Sequence, residues 1–253
     1  MVLEAVTVRD LPSLVASRMV TLVSTLAVAT SLLVIGILFF VIERSSLVAT
    51  FCAYQVFVVL LTLLSTGLVG RMFENTSTEL INTLNQYLLS IRAIFTVLLG
   101  YVLLQPYKLH HIYRKAMLLL AAMCMISMYF VISDQFSNSS RLNIAIHVIC
   151  FLVQIFGAAT AQNISKLLRW ITLIGYVIFE IILVGSIFTA FNLYPEISHS
   201  TPLFMQSFGD WRLNGGRVGI FLFAILIIQV FDRRKISNGT LQEFKFEAAK
   251  STA

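Results

Sequence analysis

The sequence predicts an all-α integral membrane protein, a bundle of transmembrane helices, and two observations carry this prediction. The first is a run of twenty-four residues without a charged side chain, Met19–Ile42, followed by further uncharged runs at Ser45–Gly70 and Ala116–Ser133. The second is composition, because 58% of the 253 residues are hydrophobic and only 12% are charged, whereas soluble domains carry roughly 25% charged residues. Since about 20 apolar residues match the ~30 Å hydrocarbon core of a bilayer, each run is long enough to span one.

Residues 1–18 precede the first apolar run and are predicted to form an interfacial segment. Asp10 is a candidate helix cap and Pro12 lies in the first turn, so a short amphipathic helix on the membrane surface is expected here. The segment does not resemble a cleaved signal peptide, because the apolar run that follows is about twice as long as a signal h-region.

Six of the predicted spans are long, and a seventh is short. Only the fourteen residues Val218–Phe231 lie between Arg217 and Asp232, which gives about 21 Å of helix. Starting the span at Leu213, with the side chain of Arg217 reaching back to the interface, gives a sufficient length. Seven spans are therefore favoured over six spans plus a re-entrant segment. The spans are Met19–Ile42, Leu47–Gly70, Tyr87–Leu104, Ala116–Ser133, Leu142–Gln162, Leu168–Asn192 and Leu213–Phe231.

Two longer connections join these spans. The connection 71–86 has a capping pattern near Ser77 and apolar residues at helical spacing, so it is expected to extend the third span as a helix. The connection 193–217 contains Trp211 among prolines, glycines and phenylalanines, and it predicts an ordered loop at the membrane interface.

The distribution of lysine and arginine predicts the orientation, with the N-terminus outside and the C-terminus inside. In that orientation the inner segments carry more of these residues than the outer segments, as cytoplasmic loops do. Residues 19–232 then form the transmembrane domain and residues 233–253 a basic C-terminal tail. The inner basic cluster consists of Lys108, Arg114, Lys115, Arg233, Arg234 and Lys235.

Glu180 is the candidate functional residue that the sequence marks most clearly, because it lies near the middle of the sixth span. An acid at the bilayer centre costs at least ~2.5 kcal/mol on insertion scales, so it should face protein or water. Four interpretations stay open for Glu180. A structural pair with Arg92 of the third span is favoured, and the others are a neutral acid hydrogen-bonded to a neighbour, a proton or ion site, and a contact between subunits. Arg92 is expected nearer the outer end of its span, one to two turns from the depth of Glu180.

His147 and Gln154 are the other polar intramembrane candidates. They are seven residues apart on the fifth span and so share a helix face. With Glu180 they could line one polar seam, although ordinary hydrogen bonding between helices is the simpler interpretation. His147 is expected about one turn inside its span. Small residues at Gly157–Ala161 and at Gly175 predict close helix contacts.

Motifs for catalysis, nucleotide binding and metal binding are not found, and no catalytic residue or metal site is assigned. The cysteines and histidines do not converge on a metal-binding spacing, and the sequence leaves any cofactor open. The four prolines fall outside the predicted spans, which suits straight, packed helices rather than the broken helices of many transporters.

The function expected from these observations is that of a non-catalytic polytopic membrane subunit that packs within a larger membrane protein assembly. A seven-helix membrane receptor or sensor is the alternative, and a transporter or channel using Glu180 is the second alternative. The expected partners are the lipid bilayer and other membrane proteins, without nucleic acid. The protein is expected to be integral to a membrane, and the sequence does not say which one.

Overall fold

Long apolar segments without internal prolines favour uninterrupted helices, because a helix satisfies its own backbone hydrogen bonds away from water. The computed structural model describes residues 11–65, 77–190 and 218–232, and this part of the chain is entirely helical, with seven helices and no sheet. The helices are α1 (Leu11–Glu43), α2 (Ser46–Ser65), α3 (Thr78–Leu104), α4 (His111–Ile132), α5 (Phe136–Thr160), α6 (Lys166–Ala190) and α7 (Val218–Asp232).

Five of these helices are long and apolar enough to cross a membrane. Their candidate spans are Val23–Glu43, Ser46–Leu64, Glu79–Leu104, His111–Ile132 and Phe136–Thr160. The prediction of a helical bundle with several membrane-compatible helices is therefore confirmed. The count of seven spans and the orientation stay predictions.

Helices α3 and α4 begin nine and five residues earlier than the spans predicted from hydropathy. The helical extension expected within 71–86 is confirmed from Thr78 onward, where the Ser77 hydroxyl accepts a hydrogen bond of 3.2 Å from the Leu80 backbone N–H. α4 likewise begins at His111, and its first turn is capped by the His110 side chain. Hydropathy marks the apolar length of a helix, whereas capping side chains decide where it begins.

The described part of the N-terminal helix starts at Leu11, and Asp10, the cap predicted for it, lies outside the described residues. The helix continues without a break to Glu43, and the backbone shows no boundary at residue 18. The surface location of residues 1–18 stays a prediction. The loop expected at 193–217 and the tail 233–253 lie outside the described residues.

Short connections make consecutive helices antiparallel neighbours. Arg44, Asp134 and Asn163 adopt left-handed backbone conformations with φ of 46°, 57° and 63°, which end the preceding helices within a few residues. In the resulting bundle α3 packs against α2, α4 and α5, while α1 packs against α2 and α6 against α5.

The short helix α7 packs inside the bundle rather than along its edge, and Ile225 is fully buried. The ring of Phe223 lies 5.5 Å from the ring of Phe51 on α2, and the ring of Phe221 lies 5.7 Å from that of Tyr176 on α6. α7 therefore joins the α1–α2 pair to α6.

Polar contacts hold the C-terminal end of α7 against α3. The Gln229 side-chain amide donates to the carbonyl oxygen of Leu103. Just beyond α3, the Tyr107 hydroxyl donates a 3.3 Å hydrogen bond to Oδ2 of Asp232. These contacts fix α7 at the end of the bundle where α3 finishes.

Two glycines permit close approach between helices, as the sequence predicted for their positions. A Cβ atom at Gly157 would lie 2.5 Å from the Tyr113 ring, and one at Gly175 would lie 1.8 Å from the Phe221 ring. Any side chain at these positions would push α5 from α4, or α6 from α7.

Candidate functional site

A cluster of four polar side chains lies buried where α3, α4 and α5 meet. Ser90 lies on α3, Ser127 on α4, and Ser139 and Asn143 on α5, and none is more than 1% exposed. The three serine Oγ atoms lie 3.1–3.3 Å from one another. Asn143 contacts two of them, with Oδ1 2.7 Å from the Ser127 Oγ and Nδ2 3.0 Å from the Ser90 Oγ.

Donors and acceptors in this cluster fit a closed ring of hydrogen bonds. The Asn143 amide nitrogen donates to Ser90, and Ser127 donates to the Asn143 amide oxygen. The ring closes if Ser90 donates to Ser139 and Ser139 donates to Ser127, since a hydroxyl both donates and accepts. We call these four residues the serine–asparagine ring. Because its members satisfy one another, the ring ties three helices together without a ligand.

His147 lies one turn beyond the ring on α5. Its Nδ1 atom lies 2.7 Å from the Asn143 carbonyl oxygen. A carbonyl oxygen can only accept, so Nδ1 carries the hydrogen and Nε2 presents a lone pair when the ring is neutral. His147 follows the first residue of α5, Phe136, by eleven residues, and its depth in a membrane stays a prediction.

Arg92 is 4% exposed and lies in the middle of α3, fourteen residues after Thr78 and twelve before Leu104. The helix begins nine residues before the predicted span, and the depth of Arg92 in a membrane stays a prediction. Its guanidinium lies close enough to Tyr54 on α2 and His147 on α5 to act on both electrostatically. The charge is thus directed into the bundle.

Gln154 is fully buried on α5 and contacts α4. The Tyr113 hydroxyl lies 3.3 Å from Oε1 of Gln154 and 3.2 Å from the carbonyl oxygen of Gly100, so its hydrogen is shared between an α5 side chain and the α3 backbone. The Nε2 atom of Gln154 lies 3.6 Å from the sulfur of Met117. This second polar contact again joins α3, α4 and α5.

Together these residues form a polar seam along the inner face of α5. Ser139, Asn143, His147 and Gln154 follow one another at spacings of four, four and seven residues, and all are buried. At 1.5 Å per residue the seam covers about 22 Å of helix. His147 and Gln154, which the spacing of seven places on one helix face, are both buried.

Glu180 lies at the edge of the bundle rather than in this seam. It is half-buried on α6, fourteen residues after Lys166. Its Oε2 atom is buried and has no hydrogen-bond partner within the described ranges. The neighbouring Val177 and Ile181 are 42% and 67% exposed. The pair with Arg92 favoured by the sequence is not found among the described contacts.

An aromatic cluster stands between the seam and α6. The Phe151 ring lies 6.4 Å from the His147 imidazole, 5.7 Å from the Tyr176 ring and 6.2 Å from the Phe179 ring. Tyr176 and Phe179 precede Glu180 on α6. The polar seam therefore consists of residues on α5. Glu180 was expected to line the same seam, but no hydrogen bond among the described residues joins it to the seam.

The inner basic cluster is described only in part. Lys108, Arg114 and Lys115 are exposed around the start of α4, while Arg233, Arg234 and Lys235 lie outside the described residues. The backbone N–H of Gln162 donates to the carbonyl oxygen of Lys108 at 3.1 Å, which joins the α3–α4 and α5–α6 connections. Within the described ranges, no group of three or more His, Cys, Asp or Glu side chains could hold a metal ion.

The serine–asparagine ring was not identified from the sequence. Its serines lie on three different helices, and serine is common in apolar helices, so spacing along the chain gave little indication. The spacing of four from Ser139 to Asn143 to His147 was the one signal that could have suggested a polar face on α5.

Comparisons with known proteins add no relative. A scan of protein-family models, a search of curated proteins and a search of solved structures found no match to this chain. The geometry of the described residues is therefore the basis for any statement about function.

Proposed function

We propose that this chain is a non-catalytic polytopic membrane subunit that packs within a larger membrane protein assembly. In this proposal α6 and α7 also cross the membrane, which gives seven spans. The N-terminus lies outside, and the inner basic cluster faces the inner side, as the excess of lysine and arginine favours.

The observation that carries the proposal is that two groups of interior polar side chains are bonded within the bundle. The serine–asparagine ring ties α3, α4 and α5 at one level. Tyr113 and Gln154 tie the same three helices at a second level. Polar groups used in this way hold helices together, and a bundle fixed at two levels suits a packing role better than one that requires large helix movements.

A second candidate function, a transporter or channel for protons or ions, is favoured by one observation. The seam on α5 extends for about 22 Å, and a half-buried carboxyl group lies on the neighbouring helix α6. Ionisable residues inside membrane bundles often mark such pathways. The gap in this candidate is that none of the described hydrogen bonds joins Glu180 to the seam.

Purification from native membranes in a mild detergent tests the proposal. An affinity-tagged chain at native expression level is expected to retain a fixed set of membrane proteins at constant stoichiometry, and the isolated chain is expected to aggregate. A chain that is monodisperse alone, and whose reconstituted vesicles lose proton or ion flux on Glu180→Gln, would support the transporter and contradict the subunit proposal.

A further inference from the structure

The unusual feature of α6 is a carboxylate at the rim of the bundle, at mid-helix depth. Glu180 follows the start of α6 by fourteen residues and precedes its end by ten, so it lies about 21 Å and about 15 Å from the two helix ends. It is half-buried, and the apolar side chains beside it are exposed, with Val177 at 42%, Ile178 at 49% and Ile181 at 67%. Glu180 thus lies at the border between the outer and inner faces of α6, with Val177 and Ile181 exposed beside it and its Oε2 atom buried.

Within the described ranges, no cation or hydrogen-bond donor from the interior of the bundle is found in contact with the Glu180 carboxylate. The described contacts of Glu180 do not include Arg92 of α3, and the rings of Tyr176 and Phe179 on α6 pack against the Phe151 ring on α5. Oε2 of Glu180 is buried and has no hydrogen-bond partner among the described residues. An ionised carboxylate next to lipid is unfavourable unless a cation or hydrogen-bond donor reaches it.

We propose that the Glu180 face of α6 docks against a transmembrane helix of another protein, and that this helix carries a lysine or arginine at the depth of Glu180. Charge complementarity selects this occupant, because lipid tails or a purely apolar helix would leave the carboxylate without a counter-charge. The exposed Val177 and Ile181 would supply the apolar contact around the ion pair. The inference rests on the proposed function and names the partner's chemistry at one site.

The test compares partner recovery from native membranes for the wild-type chain and three variants. Glu180→Gln removes the charge, Glu180→Asp keeps it, and Glu79→Gln makes the same chemical change at an exposed position in the first turn of α3. We expect Glu180→Gln to lower recovery of one membrane protein at least tenfold. Glu180→Asp is expected to retain much of that recovery and Glu79→Gln all of it, with wild-type thermal stability.

The partner identified in this way provides the second arm. Its transmembrane segment should contain a lysine or arginine, and neutralising that residue should lower recovery of the wild-type chain to the same extent. Combining this change with Glu180→Gln should add little further loss, since both changes remove one interaction. This arm uses the unchanged chain, so it applies even if Glu180→Gln impairs folding.

The outcomes separate this inference from the proposed function. If the wild-type chain retains partners and Glu180→Gln retains the same partners, the inference is overturned while the subunit proposal stands. A partner that is lost but has no cationic residue within its spans also overturns it. If the wild-type chain retains no partner at all, the subunit proposal itself fails.

Discussion

The Ser127 hydroxyl donates a 2.7 Å hydrogen bond to the side-chain oxygen of Asn143, across the interface between α4 and α5. Through Asn143 the same network reaches Ser90 on α3. Three helices from separate parts of the sequence thus meet at one small polar cluster, and its position explains how an apolar bundle fixes the rotation of its helices.

Replacing Asn143 with alanine is expected to lower stability by about 1–3 kcal/mol, because Ser90 and Ser127 each lose a buried partner. Unfolding of the purified chain in mixed detergent micelles measures the change. Asn138→Ala is the control, since Asn138 is exposed on the same helix and bonds only to Gln135 in the described contacts.

A double-mutant cycle shows whether the cluster acts as a ring. Ser90→Ala and Asn143→Ala should together cost clearly less than the sum of the single changes, because the first change already breaks the shared network. Strict additivity would mean that the two side chains act independently and would contradict the ring.

Introducing a methyl group at Gly157 should destabilise the bundle by about 1–3 kcal/mol through overpacking. Tyr113, which the new Cβ would meet at 2.5 Å, is fully buried and held through its hydroxyl, so it cannot move away easily. Gly36→Ala is the matched control, because its nearest contact is the Cys52 sulfur at 3.2 Å. For Gly36→Ala we expect the free energy of unfolding to stay unchanged or to rise by about 1 kcal/mol, because alanine has the higher helix propensity. Equal effects at both sites would contradict this packing.

Two buried glutamines are expected to respond oppositely to replacement by methionine. Both amide atoms of Gln55 are buried without a hydrogen-bond partner in the described residues, so Gln55→Met should leave stability unchanged or raise it. Gln154→Met should lower it by about 1 kcal/mol, because Gln154 accepts a bond from Tyr113. The same unfolding assay measures both, and a loss at Gln55 would indicate a partner that binds its amide.

The proposed orientation predicts which positions are open to a membrane-impermeant maleimide in intact cells. In a background with Cys52, Cys124 and Cys150 replaced by alanine, Asn138→Cys should react from outside. Lys115→Cys should react only after permeabilisation. Both positions are exposed, at the N-terminal ends of consecutive antiparallel helices. The reverse labelling pattern would mean that the bundle has the opposite orientation. Labelling of both positions from the same side would contradict the proposal that α4 crosses the membrane between them.

The helices could be predicted from the sequence, because a bilayer-length apolar run leaves few alternatives to a helix. The polar face of α5 could be predicted for the same kind of reason, since His147 and Gln154 lie seven residues apart on one chain segment. The helical extension through residues 78–86 could also be predicted, because a capping pattern near Ser77 precedes apolar residues at helical spacing.

The contacts between helices could not be predicted, because they depend on how each helix is rotated about its own axis. The serine–asparagine ring requires Ser90, Ser127 and Asn143 to face a common point, and hydropathy contains no such information. The burial of α7 was also beyond the sequence, since a short apolar helix is equally compatible with the centre or the edge of a bundle.

The mass of the smallest stable particle that contains the chain tests the subunit proposal most directly. Native mass spectrometry of particles extracted from native membranes in lipid nanodiscs would measure it. The account predicts that the 28.4 kDa chain is always accompanied by the same additional protein mass at fixed stoichiometry. A monodisperse particle that contains this chain and lipid alone would contradict it.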